Sequence, residues 1–205
     1  MKKVFDKYYK KYDAWYDKNR FAFLSEVRAL KKALPKRGEG LEIGVGTGRF
    51  ALSLGIKNGI DPSLNMLKIA KRRDVNVRLG KGEKIPFKDG FFDYVAVIIT
   101  LCFVDDPVKV ISEARRVLKP KGKIIIGIVD RESFLGVYYR NKKSIFYKKA
   151  KFFSVGEVKT LLSRSGFKKL SFYQTLSKLP QDLTSVEVPK KGYGRGGFVV
   201  ISAVK

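Results

Sequence analysis

The sequence lacks histidine altogether and contains a single cysteine, Cys102. One cysteine excludes a disulfide framework within the chain and any zinc site built from a cysteine cluster. The absence of histidine removes the commonest metal ligand and the commonest general base of enzymes. Any chemistry of this chain therefore proceeds without these groups, and no metal cofactor is expected.

Long apolar runs are also missing. The longest, YVAVIITLCFV at residues 94–104, is too short to cross a bilayer and is typical of a buried strand and its exit. The first residues, MKKVFDKYYKKYD, are basic but have no apolar core of the signal-peptide type. These absences predict a cytoplasmic protein with no membrane partner, and 205 residues fit one domain with a substantial core.

Acidic residues are scarce, since 19 Asp and Glu stand against 44 Lys and Arg, a formal net charge of +25. Heat adaptation explains many lysines, but it normally raises Glu together with Lys because stabilisation comes from ion-pair networks. A field this positive attracts RNA, DNA, acidic lipid or an anionic small molecule. The charge alone does not distinguish these partners.

The hydrophobic pattern changes at residue 40. Residues 4–34 have apolar positions at helical spacing, which predicts one helix that ends before Pro35 and Gly38. Beyond it, short apolar runs alternate with helical segments, and this alternation predicts an α/β fold with a doubly wound, mostly parallel sheet of seven strands whose last strand is antiparallel. The predicted strands are residues 41–44, 57–61, 75–79, 92–99, 123–129, 168–175 and 197–203. The predicted helices are residues 49–54, 63–73 capped by Ser63, 107–118, and 154–164 capped by Ser154, with an irregular segment at residues 131–153.

A glycine-rich turn follows the first strand. In LEIGVGTGRF, residues 41–50, three glycines occupy every second position: Gly44, Gly46 and Gly48. Without a Cβ the backbone can turn tightly and lie against a ligand, and such a turn in a doubly wound sheet indicates a nucleotide-type site. The dinucleotide fingerprint requires a third glycine at the position of Arg49, so the pattern does not favour a pyrophosphate ligand.

Two acids flank this turn. Glu42 lies at the end of the first strand, where a carboxylate suits a cationic amine, although an ion pair with Arg49 is an alternative. Asp61 ends the second strand, where an acid hydrogen-bonds a ribose diol in this architecture, although it can also cap the next helix. An amine near one acid and a ribose near the other match S-adenosylmethionine.

Three ordered motifs carry a family resemblance. They are Glu-x-Gly-x-Gly-x-Gly at residues 42–48, GIDPSLNML at residues 59–67 and GKGEKIPFKDGFFDYV at residues 80–95. With the opening FDKYYKKYDAWYDK, they resemble the class I S-adenosylmethionine-dependent methyltransferases, especially the type 11 or UbiE-like group, and uncharacterised methyltransferases of thermophiles. The resemblance implies a Rossmann-like domain over residues 1–205, with an N-terminal helical lid at residues 1–35 and a substrate-covering insertion at residues 131–153.

The resemblance also implies a cofactor site for S-adenosylmethionine, with S-adenosylhomocysteine as the product. Glu42 is expected to bind the methionine amine, directly or through water, and Asp61 the ribose hydroxyls. The other expected contacts are Gly44, Gly46 and Gly48 along the methionine portion and its turn, Pro62 and Met66 at the adenine and sugar, Gly82 and Glu83 at the adenine edge, Ile98 and Thr100 at the methionine end, and Tyr16 and Arg20 in the lid, near the cofactor carboxylate.

The segment after the fifth strand is the expected acceptor side, because ligands of open α/β sheets lie at the carboxyl edge of the strands. Asp130, Arg131, Tyr138 and Tyr139 are the candidate substrate residues. Aromatic and basic residues alternate beyond them, which fits either an RNA platform or a substrate cover with a solvated outer face. The aromatic stripe of residues 1–35 is interpreted as lid packing in preference to substrate contact.

These observations predict a methyltransferase that acts by in-line displacement on a small-molecule acceptor, for which the net charge favours an anion. The alternatives are a methyltransferase of tRNA or rRNA, a non-catalytic nucleotide-binding module, and an NAD-linked dehydrogenase, which Arg49 disfavours. No catalytic residue is identified; Asp105, Asp106, Asp130, Glu132 and the tyrosines are open as proton acceptors. A monomer or a homodimer is expected.

Overall fold

The N-terminal segment forms three helices instead of the single predicted one. The computed structural model describes residues 2–205, except for the side chain of Lys2. Asn19 separates the second and third helices at φ −117° and ψ 46°, and its side-chain amide donates to the Trp15 carbonyl at 2.9 Å. A short polar side chain that bonds the nearby backbone competes with helical hydrogen bonding, which explains the break. The helices are α1 (Lys2–Lys7), α2 (Tyr9–Lys18) and α3 (Arg20–Ala33).

One sheet occupies the centre of the molecule, in the order β3-β2-β1-β4-β5-β8-β6-β7. Strands β1 to β5 pair in parallel, and β8 runs antiparallel between β5 and β6. The predicted fold is confirmed, except that the sheet has eight strands. The extra strand, β7, has two residues and pairs with Tyr173 and Gln174, so it is too short for an alternating pattern to reveal it. The strands are β1 (Gly40–Ile43), β2 (Asn58–Asp61), β3 (Asn76–Leu79), β4 (Phe92–Ile98), β5 (Leu118–Val129), β6 (Lys168–Thr175), β7 (Lys190–Lys191) and β8 (Phe198–Val204).

The remaining helices begin at side-chain caps or at a glycine. The Ser63 hydroxyl accepts from the Met66 amide at 3.3 Å, and Ser154 forms a capping box with Glu157, as the two predicted serine caps require. Gly48, at φ 81°, precedes the short helix that follows the glycine turn. These helices are α4 (Arg49–Leu54), α5 (Leu64–Arg72), α6 (Pro107–Val117), α7 (Phe134–Asn141) and α8 (Val155–Arg164).

One predicted strand start and one predicted irregular segment are wrong. Strand β5 begins at Leu118, opposite Phe92, and reaches its regular register at Lys123 through an irregularity that contains Lys121 at φ 64°. The segment 131–153 is not irregular throughout, because it contains α7. The Ser133 hydroxyl accepts from the Gly136 amide at 3.1 Å and starts this helix, a cap signal that the dense basic and aromatic composition obscured.

Buried side chains form one cluster on each face of the sheet. Helices α3, α4 and α5 pack on one face, where Leu30 and Phe198 are fully buried, and α6 and α8 pack on the other around Val110. Each such side chain contributes about 1.5–3 kcal/mol relative to exposure. No helix in residues 2–205 is long and apolar enough to cross a membrane. The two layers leave the carboxyl ends of β1, β2 and β4 open beneath the N-terminal helices.

Candidate active site

A pocket lies at this carboxyl edge, covered in part by α1 and α2. The space between its walls is about 940 Å³, a figure that includes the open mouth. Eight of the residues predicted to bind the cofactor line it: Gly44, Gly46, Asp61, Pro62, Met66, Gly82, Glu83 and Thr100. The sequence therefore identified most of the pocket wall that the sheet provides.

The glycine turn has the left-handed backbone that glycine permits, with φ of 71° at Gly44 and 53° at Gly46. A Cβ on Gly44 would meet the Thr100 side chain at 2.4 Å, so the turn and the end of β4 approach each other too closely for any side chain. A Cβ on Gly46 would have only a Tyr12 ring carbon within 4 Å, at 3.7 Å. The turn thus presents bare backbone to the pocket.

Asp61 joins the glycine turn to helix α5. One carboxylate oxygen accepts from the Gly46 amide at 3.0 Å and the other from the Ser63 amide at 2.8 Å. Loss of hydration raises the pKa of this carboxyl to about 6, against the lowering effect of those two amides. Asp61 therefore supports the turn and the helix start together, and each oxygen keeps a lone pair for a donor in the pocket.

Glu42 lies in β1, just before the turn, with 1% of its surface exposed, and it is not among the residues that line the pocket. Its Oε2 atom has no hydrogen-bond partner among the described residues, and burial followed by the charge of Asp61 raises its pKa well above the usual range. A buried carboxylate oxygen without a partner is costly unless a cation or donor reaches it. This orphaned oxygen fits an adenosyl sulfonium ligand that carries an ammonium group, and Glu42, Asp61 and the glycine turn are the groups that would hold it.

Arg49 does not pair with Glu42, so that alternative is wrong. Its guanidinium binds Asp13 at 2.9 Å and Asp17 at 2.6 Å, both on α2. Asp13 also binds Arg73 at 2.8 Å and accepts from the Thr47 hydroxyl at 2.6 Å. We call Asp13, Thr47, Arg49 and Arg73 the lid clamp. These hydrogen bonds lower the pKa of Asp13 below its usual range, and they fasten α2 to the glycine turn.

Aromatic rings complete the cover of the pocket. Phe5 of α1 contacts Phe103 and Phe146 with centroids at 5.0 and 5.4 Å, and Phe5, Tyr12 and Phe103 line the pocket. Tyr16 was predicted for this position, but it is buried deeper, and its hydroxyl bonds that of Tyr12 at 2.6 Å.

Several other predicted residues lie away from the pocket. Arg20 is exposed at the start of α3, and Gly48 and Ile98 pack behind the wall, while Ile99 and Thr100 face the pocket. The four candidate substrate residues also lie outside it: Asp130 is buried, Arg131 pairs with Glu157 at 2.7 Å, Tyr138 contacts Lys142, and Tyr139 is buried against Tyr147.

Sequence reasoning missed the lid side of the pocket. Phe5 and Tyr12 belong to the aromatic stripe that was interpreted as packing, and Phe103 lies in the turn after β4. Asp105 lines the mouth, where the Glu83 carboxylate accepts from its amide at 2.9 Å. No cluster of three or more His, Cys, Asp or Glu side chains suited to a metal ion occurs in the part of the chain that the structure describes.

Comparison with known proteins agrees with this geometry. Residues 41–126 match the family model for a methyltransferase domain. An uncharacterized protein of Methanocaldococcus jannaschii is 53% identical over 204 residues, 98% of each chain. The demethylmenaquinone methyltransferase of Oceanobacillus iheyensis is 27% identical over 95% of this chain and 85% of its own.

A solved structure resembles the whole molecule. The crystal structure of a SAM-dependent methyltransferase from Thermotoga maritima, described as a possible histamine N-methyltransferase, is 48% identical and superimposes with a TM-score of 0.97 over 100% of both chains. The glycine turn, the unpartnered acid just before it and this likeness lead to one conclusion. The chain belongs to the S-adenosylmethionine-dependent methyltransferases, in the type 11 or UbiE-like group.

Proposed function

We propose that this methyltransferase transfers a methyl group to a small-molecule acceptor that binds beneath the N-terminal lid. The observation that carries the proposal is the cover of the pocket: Phe5 reaches from α1 across the site to Phe103 and Phe146. An acceptor must fit under this roof to reach the methionine end of the donor. In this proposal the chain is one domain, with residues 1–35 as the lid and residues 131–153 as the cover on the acceptor side.

The bound donor supplies an electrophilic methyl group on sulfonium, so the protein has mainly to orient the acceptor and exclude water. Glu42 and Asp61 hold the two ends of the donor, and the Tyr12 ring lies beside Gly46, where it closes the pocket from the lid side. Holding two reacting atoms in line at about 3–3.5 Å contributes roughly 7–11 kcal/mol to the lowering of a barrier. A covered, rigid pocket is suited to this kind of catalysis.

The relatives favour a small acceptor. The names of the Thermotoga maritima and Oceanobacillus iheyensis proteins refer to histamine and to demethylmenaquinone. Both are small molecules, although they differ chemically. The two names therefore favour a small acceptor for this chain, but they do not indicate its chemical class.

RNA is the second candidate, because of the net charge of +25 and the basic outer face of the cover. Six cations on this face are exposed: Arg140, Lys142, Lys143, Lys148, Lys149 and Lys151. Such a face binds phosphates in a manner that weakens steeply with salt. Binding of bulk RNA by this face does not require that the RNA reach the covered pocket.

Labelled methyl donor and fractionated cell extract test the proposal. We expect label in the small-molecule fraction, and a loss of incorporation in the Asp61→Asn variant that parallels its loss of donor affinity. Label in tRNA or rRNA would favour the second candidate. Donor binding in calorimetry without transfer to any fraction would indicate a non-catalytic nucleotide-binding module, and preferential binding of NAD would contradict the donor itself.

A further inference from the structure

The outer side of the cover, residues 131–153, carries apolar side chains where a surface segment normally carries polar ones. Ten large apolar or aromatic side chains are exposed among the described residues, and three of them lie close together in the chain: Phe134, Val137 and Ile145. Their exposed fractions are 40%, 43% and 41%. Single exposed apolar side chains are normal on a protein surface, but a group of them indicates an interaction site.

Helix α7 is apolar on two sides. Leu135 and Tyr139, four positions apart, are buried. Phe134 and Val137 are three positions apart, and residues at this spacing project from the same side of a helix, here the exposed side. α7 therefore carries apolar groups outward as well as inward, and Ile145 adds a third exposed one in the turn that follows the helix.

The charged residues around these apolar side chains in the sequence are all basic. Residues 133–153 contain no Asp or Glu, and the acid next to them, Glu132, forms an ion pair with Arg131 at 3.8 Å. Six cations of the cover are exposed: Arg140, Lys142, Lys143, Lys148, Lys149 and Lys151. The partner of this face is therefore an anion that also accepts apolar side chains.

The cover turns its aromatic rings inward, which argues against RNA as that partner. Bases stack on ring faces that are open to solvent, yet of the seven rings in residues 131–153 only that of Phe134 is exposed. Phe146 packs against Phe5 with ring centroids 5.4 Å apart, and Tyr139 packs against Tyr147 at 4.7 Å. The other two exposed apolar side chains are aliphatic and offer no ring to a base.

An anionic bilayer surface suits both properties of this face. Its headgroups attract Lys and Arg, and the apolar side chains of an interfacial helix enter the boundary between the headgroups and the acyl chains. A contact of this kind requires no helix that crosses the membrane. It differs from the expectation of no membrane partner, which the sequence gave because long apolar runs are missing.

We propose that the outer face of the cover, which carries Phe134, Val137 and Ile145, docks on a membrane surface that contains anionic phospholipid. The inner side of the same segment covers the donor pocket through the contact of Phe146 with Phe5, so docking holds the covered pocket next to the bilayer. The inference concerns the place at which the enzyme works, and it does not depend on which acceptor the enzyme methylates.

Flotation of the protein with lipid vesicles tests this inference. One set of vesicles contains phosphatidylcholine alone, and a second contains phosphatidylcholine and phosphatidylglycerol in equal amounts. We expect wild type to float with the second set and not with the first, because the first has no net negative charge. A net charge of +25 can adsorb to an anionic surface without any apolar contact, so binding alone does not decide the matter.

The decisive comparison is the double variant Phe134→Ser, Val137→Ser, which keeps every charge of the chain. It should bind the anionic vesicles about 10-fold more weakly or less, because it has lost the side chains that enter the bilayer. The matched control is the double variant Val108→Ser, Val188→Ser, which removes two exposed apolar side chains outside the cover. The control should bind as wild type does.

A second pair of variants tests the cations. Lys142→Gln with Lys143→Gln should weaken binding to the anionic vesicles at low salt. Lys31→Gln with Lys32→Gln, which changes an exposed pair in the last turn of α3, removes the same charge elsewhere and should weaken binding less. All variants should retain the unfolding temperature of wild type and its affinity for S-adenosylhomocysteine, since the side chains that are changed are exposed.

The inference is overturned if wild type binds neither set of vesicles. It is also overturned if the Phe134→Ser, Val137→Ser variant binds the anionic vesicles as wild type does, which would show adsorption by net charge alone. If that variant binds vesicles normally but loses affinity for bulk tRNA, the face belongs to RNA instead. Vesicle binding involves no methyl transfer, so its failure leaves the proposed function in place, and a failure to transfer label to any fraction leaves this inference in place.

Discussion

Glu26→Gln should change how the stability of the protein depends on pH. Glu26 lies on α3 with 2% of its surface exposed, and this burial raises the pKa of its carboxyl to about 8 in the folded chain, against an ordinary value of 4.5. A raised folded pKa means that the native state retains a proton that the unfolded chain has released, so the free energy of unfolding decreases as pH rises between those two values. Each pH unit of difference corresponds to about 1.4 kcal/mol. From pH 5 to pH 9, about three units of the window are crossed, so wild type should lose up to about 4 kcal/mol through Glu26 alone.

Glutamine has no proton to release, so the variant should lack this contribution. Denaturant unfolding of wild type and Glu26→Gln at pH 5 and pH 9 gives the difference between the two proteins at each pH. Glu42 and Asp61 also have raised pKa values, but they are present in both proteins and largely cancel. We expect the variant to gain stability relative to wild type by about 2–4 kcal/mol between the two pH values. An equal difference at both would show that Glu26 is hydrated or paired, and would refute the reasoning.

Three other substitutions test the donor side of the site. Asp13→Asn should lower the free energy of unfolding at pH 7 by about 2–3 kcal/mol, because it leaves the guanidinium groups of Arg49 and Arg73 without their shared carboxylate. This loss should become smaller as the pH falls. The lowered pKa of Asp13 gives wild type a stability that disappears in acid, so in acid wild type and variant become more alike. Gly44→Ala should weaken donor binding in calorimetry by about 10-fold or more, because the backbone of residue 44 has a φ of 71° and the new Cβ would lie 2.4 Å from the Thr100 side chain. A wild-type affinity would mean that the turn can rearrange to accept the side chain. Asp61→Asn should reduce donor affinity by about 10–100-fold, and an unchanged affinity would exclude a contact with the ribose.

Among the predicted cofactor residues, those that the structure places at the pocket have positions set by their neighbours in the chain. Gly44, Gly46 and Asp61 lie at the ends of adjacent parallel strands, and a strand end is recognisable from the apolar run before it and the turn residues after it. The Ser63 cap follows from the same local pattern. For this reason the pocket-lining residues at the strand ends could be predicted together from the sequence.

The lid was not predictable in this way. Asp13 reaches Thr47, Arg49 and Arg73 across 34 to 60 positions of the chain, and local spacing contains no information about such contacts. Tyr12 and Tyr16 belong to the same apolar stripe, yet only the packing of α2 against the glycine turn decides which of them faces the pocket.

The burial of Glu26 was also not predictable from the local sequence. A glutamate in a basic amphipathic helix is normally solvated, and its neighbours Ser25 and Val27 give no sign that all three are buried. Burial of a charge is decided by the elements that pack against its helix, and α3 packs on β6 and β8 of the sheet and on α4. Arg131 is similar, because its pairing with Glu157 removes it from the acceptor side, where its position after β5 had suggested it.

The lid clamp has a kinetic consequence. Arg49 is the first residue of the helix that follows the glycine turn, and it pairs with Asp13 and Asp17 of α2. The ion pairs that hold α2 are therefore attached to the turn at which we propose that the donor binds. In the proposed function, an exchange of product for donor past α2 would require these ion pairs to separate, and their side chains are partly exposed to solvent. Dissolved salt screens such pairs, so under the proposed function higher ionic strength is expected to weaken the hold on α2 and to speed product release.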